Sequence, residues 1–97
     1  MIKMKHAGPE ALDRLEPILI EIRKLEGLTE KKRGTFYCRG NAMLHFHEDP
    51  AGFFADLKID GEFERFAVNT EREVAAFLRR ATSSIRSVAT VRQKSGA

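Results

Sequence analysis

The run Ala42-Met43-Leu44-His45-Phe46-His47-Glu48-Asp49-Pro50-Ala51-Gly52-Phe53-Phe54-Ala55-Asp56-Leu57-Lys58-Ile59-Asp60-Gly61 reads as two strands, each closed by a turn. In its second half Phe53, Ala55, Leu57 and Ile59 alternate with Phe54, Asp56, Lys58 and Asp60, the period-two pattern of a strand buried on one face. Pro50-Ala51-Gly52 marks the turn before that strand, and Asp60-Gly61 is a strong hairpin signal after it. Residues 42–47 form the preceding strand, joined to residues 35–39 by a tight turn at Gly40-Asn41. Residues 63–68 supply a fourth. Consecutive hairpins thus predict a four-stranded antiparallel meander.

Helices are expected on both sides of it. Ala11, Leu12, Leu15, Ile18, Leu19, Ile22 and Leu25 recur at spacings of three and four, one apolar stripe on a helix. Pro9 suits its first turn and Gly27 its end. Pro17 predicts a kink or a fresh start near Glu16, and the stripe, which keeps phase across it, favours the kink. After the sheet, Thr70-Glu71-Arg72-Glu73 matches a capping box, and Val74, Phe77, Leu78, Ala81, Ile85 and Val88 carry a second stripe. Thr82, Ser83 and Ser84 are weak helix formers and predict fraying beyond them. The fold class expected is α+β in two layers, helix, four-stranded meander, helix, over residues 1–92, with a loose polar tail at 93–97.

A chain of 97 residues suits one such domain. No apolar run approaches the roughly 20 residues of a membrane span. The start, Met1-Ile2-Lys3-Met4-Lys5-His6, has charge but no apolar stretch behind it, so no signal peptide is expected. One cysteine, Cys38, cannot form an internal disulfide, which fits a reducing cytoplasm. The net charge of +3 is segregated. Lys31, Lys32 and Arg33 make a basic loop, the charges of residues 48–64 are negative except for Lys58, and Arg72, Arg79, Arg80, Arg86, Arg92 and Lys94 make the end basic. Such segregation can steer an anionic partner or favour self-association, but is more often plain solvated surface.

The register concentrates the chemistry. If residues 49–52 form a turn, His45 faces Asp56, and Leu44 and Phe46 join Ala55, Leu57 and Ile59 on the core side. A two-residue loop at Gly40-Asn41 would place Cys38 opposite Met43 and Phe36 opposite His45. The other face then gathers His45, His47, Asp56 and Lys58, with Phe36, Met43 and Phe54 beside them. A one-residue change in that loop would reverse the faces.

Three readings of the histidines follow. Imidazoles at i and i+2, helped by Asp56, Glu48 or Asp49, can hold zinc or another divalent transition metal. His45 oriented by Asp56, with Cys38 as nucleophile, could do acid–base or covalent chemistry, although Met43 beside Cys38 supplies no charge to activate it. Or the rings are hydrogen-bonded parts of a partly covered sheet. Phe36, Met43 and Phe54 suggest a binding surface, and a homodimer if both helices pack on the opposite face. A nucleic-acid module would use Lys31, Lys32 and Arg33 with Phe36 and Tyr37 nearby, but no nucleic-acid motif is present and the acidic middle would repel a backbone. The balance of these readings is a non-enzymatic binding or assembly module, dimeric, with a metal-binding protein as the alternative.

Gly34-Thr35-Phe36-Tyr37, the 44–52 segment and Ala55-Asp56-Leu57 together resemble a family of short bacterial proteins with no assigned function. The resemblance covers about residues 9–80 and implies a small cytoplasmic domain, with no catalytic residue to carry over. The order of helix, antiparallel sheet and helix is also similar to frataxin-like folds, an analogy of architecture that implies no iron chemistry.

Overall fold

The computed structural model describes residues 5–95, with side chains described as far as Ala89. Its element order is β1 (Lys5–His6), α1 (Pro9–Arg23), β2 (Leu28–Lys32), β3 (Thr35–Cys38), β4 (Asn41–Asp49), β5 (Gly52–Ile59), β6 (Glu62–Ala67) and α2 (Glu71–Ser95). The fold is α+β. The antiparallel sheet runs β2-β3-β4-β5-β6, and β1 also pairs with β4. Among the described residues it has six strands where the hairpin signals gave four.

Both additional strands lack an alternating apolar pattern. β2 occupies most of the expected basic loop. Its sequence, Leu28-Thr29-Glu30-Lys31-Lys32, is mostly charged, which suits a sheet edge that must not pair with other chains. β1 has two residues, paired as Lys5 with Glu48 and His6 with His47. It adjoins β4 along the same side as β3, beyond the point where β3 ends.

The β4–β5 register agrees with the sequence reading: His45 pairs with Asp56, Phe46 with Ala55, and Asp49 with Gly52. The β3–β4 register does not. The turn falls one residue early, with Arg39 and Gly40 both at positive φ (55° and 85°), the mirror-image turn that matches strand twist. Cys38 therefore pairs with Asn41. A bulge then makes Met43 an extra residue, so Phe36 faces Leu44 and Thr35 faces His45. Phe36, Cys38 and Met43 thus turn inward and are buried to 1%, 1% and 2% exposure. The expected placement of Phe36 and Met43 on the outer face is corrected by this shift. The bulge also restores the phase of β4, so the histidines stay outside.

The core lies between the inner sheet face and both helices. Leu12, Leu15, Leu19 and Ile22 of α1 and Phe77, Ala81 and Ile85 of α2 join Phe36, Leu44, Phe46, Ala55 and Leu57 in one buried cluster. Phe77 meets Phe46 and Phe66 at ring separations of 6.1 and 5.8 Å. Both helices are on one side, and among the described residues no helix covers the opposite sheet face. α1 is one continuous helix through Pro17, so no fresh start occurs near Glu16. It ends at Arg23, capped by Lys24, and Gly27 sits in the following turn at φ 95°.

α2 begins with the expected capping box. Thr70 Oγ1 accepts from Glu73 N, and Glu73 Oε1 accepts from Thr70 N, both at 3.1 Å. The helix does not end beyond Thr82–Ser84 but continues to Ser95. Thr82 Oγ1 donates to Leu78 O and Ser84 Oγ to Lys58 O, each at 2.8 Å, while Ala81 and Ile85 anchor that turn in the core. The backbone expected to loosen from Gln93 is helical to Ser95, and residues 96 and 97 lie outside the described residues. Among the described residues, no helix is long and apolar enough to cross a membrane.

Candidate metal centre

Alternation along β4 puts His45 and His47 on the outer face, two residues and one pleat apart. Antiparallel pairing brings the other groups to them. β1 sets His6 opposite His47, β5 sets Asp56 opposite His45, and β6 sets Arg65 opposite Asp56. The His6 ring lies 4.7 Å from that of His47 and 5.5 Å from that of His45. One ring nitrogen from each of the three histidines can be chosen so that all lie within 4.8 Å of one another.

Proton accounting within this group is tight. His47 Nε2 lies 2.9 Å from His45 Nδ1 and 3.1 Å from Asp56 Oδ2. A ring nitrogen carries either one hydrogen or one lone pair. With a hydrogen, it can be aimed well at only one of the two neighbours. With a lone pair, it accepts from His45 but faces the negative Asp56 oxygen. His47 Nε2 thus faces two neighbours and can serve only one of them well with a single hydrogen, although Asp56 Oδ2 also accepts from Arg65 Nη2. An ion at this point would meet two imidazole nitrogens and a carboxylate oxygen.

Arg65 fixes the carboxylate by a two-pronged grip, Nε to Oδ1 at 2.7 Å and Nη2 to Oδ2 at 2.8 Å. Burial opposes ionisation of Asp56, but the bonds and charge of Arg65, with help from the histidines, outweigh it and hold the carboxyl below its ordinary pKa. Burial lowers the pKa of His45 and of His47. His47 lowers that of His45 further, while the Asp56 charge opposes both shifts. A hydrogen bond to the backbone of Lys5 also favours the protonated His47 ring and steadies it. Neutral rings are the metal-binding form.

These shifts have a consequence for the metal-free chain. Facing His45 and His47 are His6 from β1, Asp56 from β5 and Arg65 from β6. The folded pKa of each of the two rings is lowered, so the unfolded chain binds protons more readily below its value of about 6.5. Their contribution to stability is complete above that pH and is lost as the pH falls through the folded values. Urea unfolding midpoints are expected to drop between pH 7 and 5.5, with a smaller drop in the double variant His45→Gln, His47→Gln. Equal pH dependence in the two proteins would contradict this.

The other candidate residues are dispersed. Glu48 does not join the histidines, because successive strand residues point to opposite faces. Its Oε2 instead accepts from Gly8 N at 2.8 Å, placing a carboxylate at the start of α1. Asp56 contacts the ring of His47, diagonal to it, although His45 is its register partner. Asp49 Oδ1 accepts from Ala51 N in the turn. Cys38 is in the core, where burial raises its pKa, the opposite of what a nucleophilic thiol needs. Phe54 is on the outer face, opposite His47.

Of the basic group, Arg33 turns back onto α1, pairing with Asp13 and Glu16 at 2.8 Å each. Lys31 lies over the Tyr37 ring at 4.3 Å and Lys32 is exposed. The three therefore do not form one cationic patch.

His6 and Arg65 were missed from the sequence. His6 sits in a short charged stretch with no periodicity to reveal β1. Arg65 was legible, since counting back from an Asp60-Gly61 turn pairs Ile59 with Glu62 and hence Asp56 with Arg65. No protein-family model, curated protein or solved structure matches the chain.

Proposed function

We propose that this protein binds a divalent transition-metal ion through His6, His45 and His47, with Asp56 held beside them by Arg65. The observation that carries the reading is the meeting of three imidazoles from two separate strands, with His6 and His47 directly paired and 41 positions apart in the chain. All the nearby donors are nitrogen or oxygen, and the sole thiol is in the core. That chemistry suits zinc, nickel, copper or cobalt better than the hard, oxygen-seeking ions.

The test is a zinc titration of tag-free protein, since a purification tag would supply histidines of its own. One ion per chain is expected. His45→Ala together with His47→Ala should abolish saturable binding, and His6→Ala alone should weaken it by about tenfold or more. Stoichiometric binding that survives the double change would refute the reading.

Assembly is a second reading, supported by the helix-free outer face and by Phe63, 43% exposed upon it. It has lost Phe36 and Met43 to the core, leaving Phe54 and Phe63 to carry it. Sedimentation of a dimer that dissociates on Phe63→Ala would favour it.

A further inference from the structure

We infer that the three-histidine site keeps its solvent side open and there takes a small organic anion, an aromatic carboxylate in the first instance, which Arg65 and Lys58 help to hold. The inference rests on the metal reading and extends it to a ligand. Its first support is directional. His6, His45, His47 and Asp56 all rise from one face of one sheet, so every donor lies on the sheet side of an ion bound among them. Both helices pack on the opposite face. Among the described residues, no further His, Cys, Asp or Glu joins the three rings as a ligand. Metal sites closed by protein ligands are structural, whereas those with an open position exchange water for a ligand.

The second support is charge. The carboxylate beside the rings, Asp56, is paired with Arg65, while Asp49 accepts from the Ala51 amide and keeps its charge. Arg65 uses Nε and Nη2 for that grip, which leaves Nη1 without a hydrogen-bond partner among the described residues. Its side chain is 48% exposed. A guanidinium so placed, beside a divalent ion, favours an oxyanion that can bridge the two.

The third support concerns the rest of the ligand. The Phe63 ring lies 4.9 Å from that of His45, and the residue is 43% exposed. Lys58 Nζ lies 5.1 Å from the same ring centroid. Metal, cation and apolar shelf are thus neighbours, and the ligand they fit has one anionic head and a flat apolar body. Binding exchanges a metal-bound water for a carboxylate oxygen. No bond within the ligand is made or broken.

The experiment uses tag-free protein loaded with cobalt(II), whose visible absorption reports coordination. Benzoate is the probe, with acetate and inorganic phosphate alongside. A saturable spectral change is expected with benzoate, with acetate at least about fivefold weaker because it lacks the ring. Lys58→Met and Arg65→Lys should each weaken benzoate binding several-fold, and Lys58→Met should leave cobalt affinity unchanged. A cobalt spectrum that responds to none of the three anions overturns the inference and leaves the metal site standing. Equal affinity for acetate and benzoate, or benzoate binding unchanged in both variants, also overturns it. No cobalt spectrum at all removes the metal site itself, a distinct failure.

Discussion

Phe36→Ala is expected to cost about 3 to 5 kcal/mol of folding stability, the usual effect of emptying a fully buried aromatic position. Phe36 is 1% exposed within the cluster that joins both helices to the sheet. A domain of this size has about 5 to 15 kcal/mol in total, so the variant would lose a large share of its margin. Phe63→Ala is the control on the other face. Its ring is 43% exposed, and truncation is expected to cost about 1 kcal/mol or less. Urea unfolding of the two variants side by side makes the comparison. A mild Phe36 effect equal to that of Phe63 would mean that the hairpin turns at Gly40-Asn41 after all, with Phe36 on the outer face.

Zinc should raise the melting temperature substantially. A ligand that binds only the folded chain stabilises it by about 2.7 kcal/mol when free ligand is 100 times its dissociation constant. For a domain of this length, each kcal/mol raises the midpoint by about 4 to 8 °C, giving an increase of roughly 10 to 20 °C. The strand pairing explains why the site should report on folding. His6 reaches His45 and His47 only while β1 lies against β4, and among the described residues two register pairs and the bond from Ala7 N to Phe46 O hold this strand there. An ion shared by the three rings would link those strands directly. In His6→Ala most of the increase should disappear at the same zinc concentration. The same increase in a variant lacking all three histidines would show that zinc acts elsewhere.

Much of the site was legible because one turn fixed it. Asp49 and Gly52 close the β4–β5 hairpin, and counting from that closure gives His45 opposite Asp56 and the aliphatic residues on the other face. Alternation and turn chemistry are local properties, and a sequence displays them. The β3–β4 hairpin has a second, competing solution. Gly40-Asn41 is a good turn pair, but Arg39-Gly40 also works once Arg39 accepts a positive φ, and the bulge at Met43 absorbs the difference. Burial of Phe36, Cys38 and Met43 favours the second solution, and that depends on helices distant in sequence. His6 was hidden for a related reason. A two-residue strand has no period, and its partner is 41 positions away. The charge of the 31–33 segment was equally misleading by itself, because Arg33 is spent on Asp13 and Glu16 of α1.

The account stands on three histidines sharing one ion, and X-ray absorption of the zinc-loaded, tag-free protein tests that most directly. Imidazole rings scatter in a recognisable pattern, so the spectrum counts them as well as measuring their distance. Three imidazoles with nitrogen at about 2.0 to 2.1 Å from zinc are predicted, falling to two in His6→Ala. Bound zinc with one imidazole or none, or a spectrum unchanged by His6→Ala, would contradict the account.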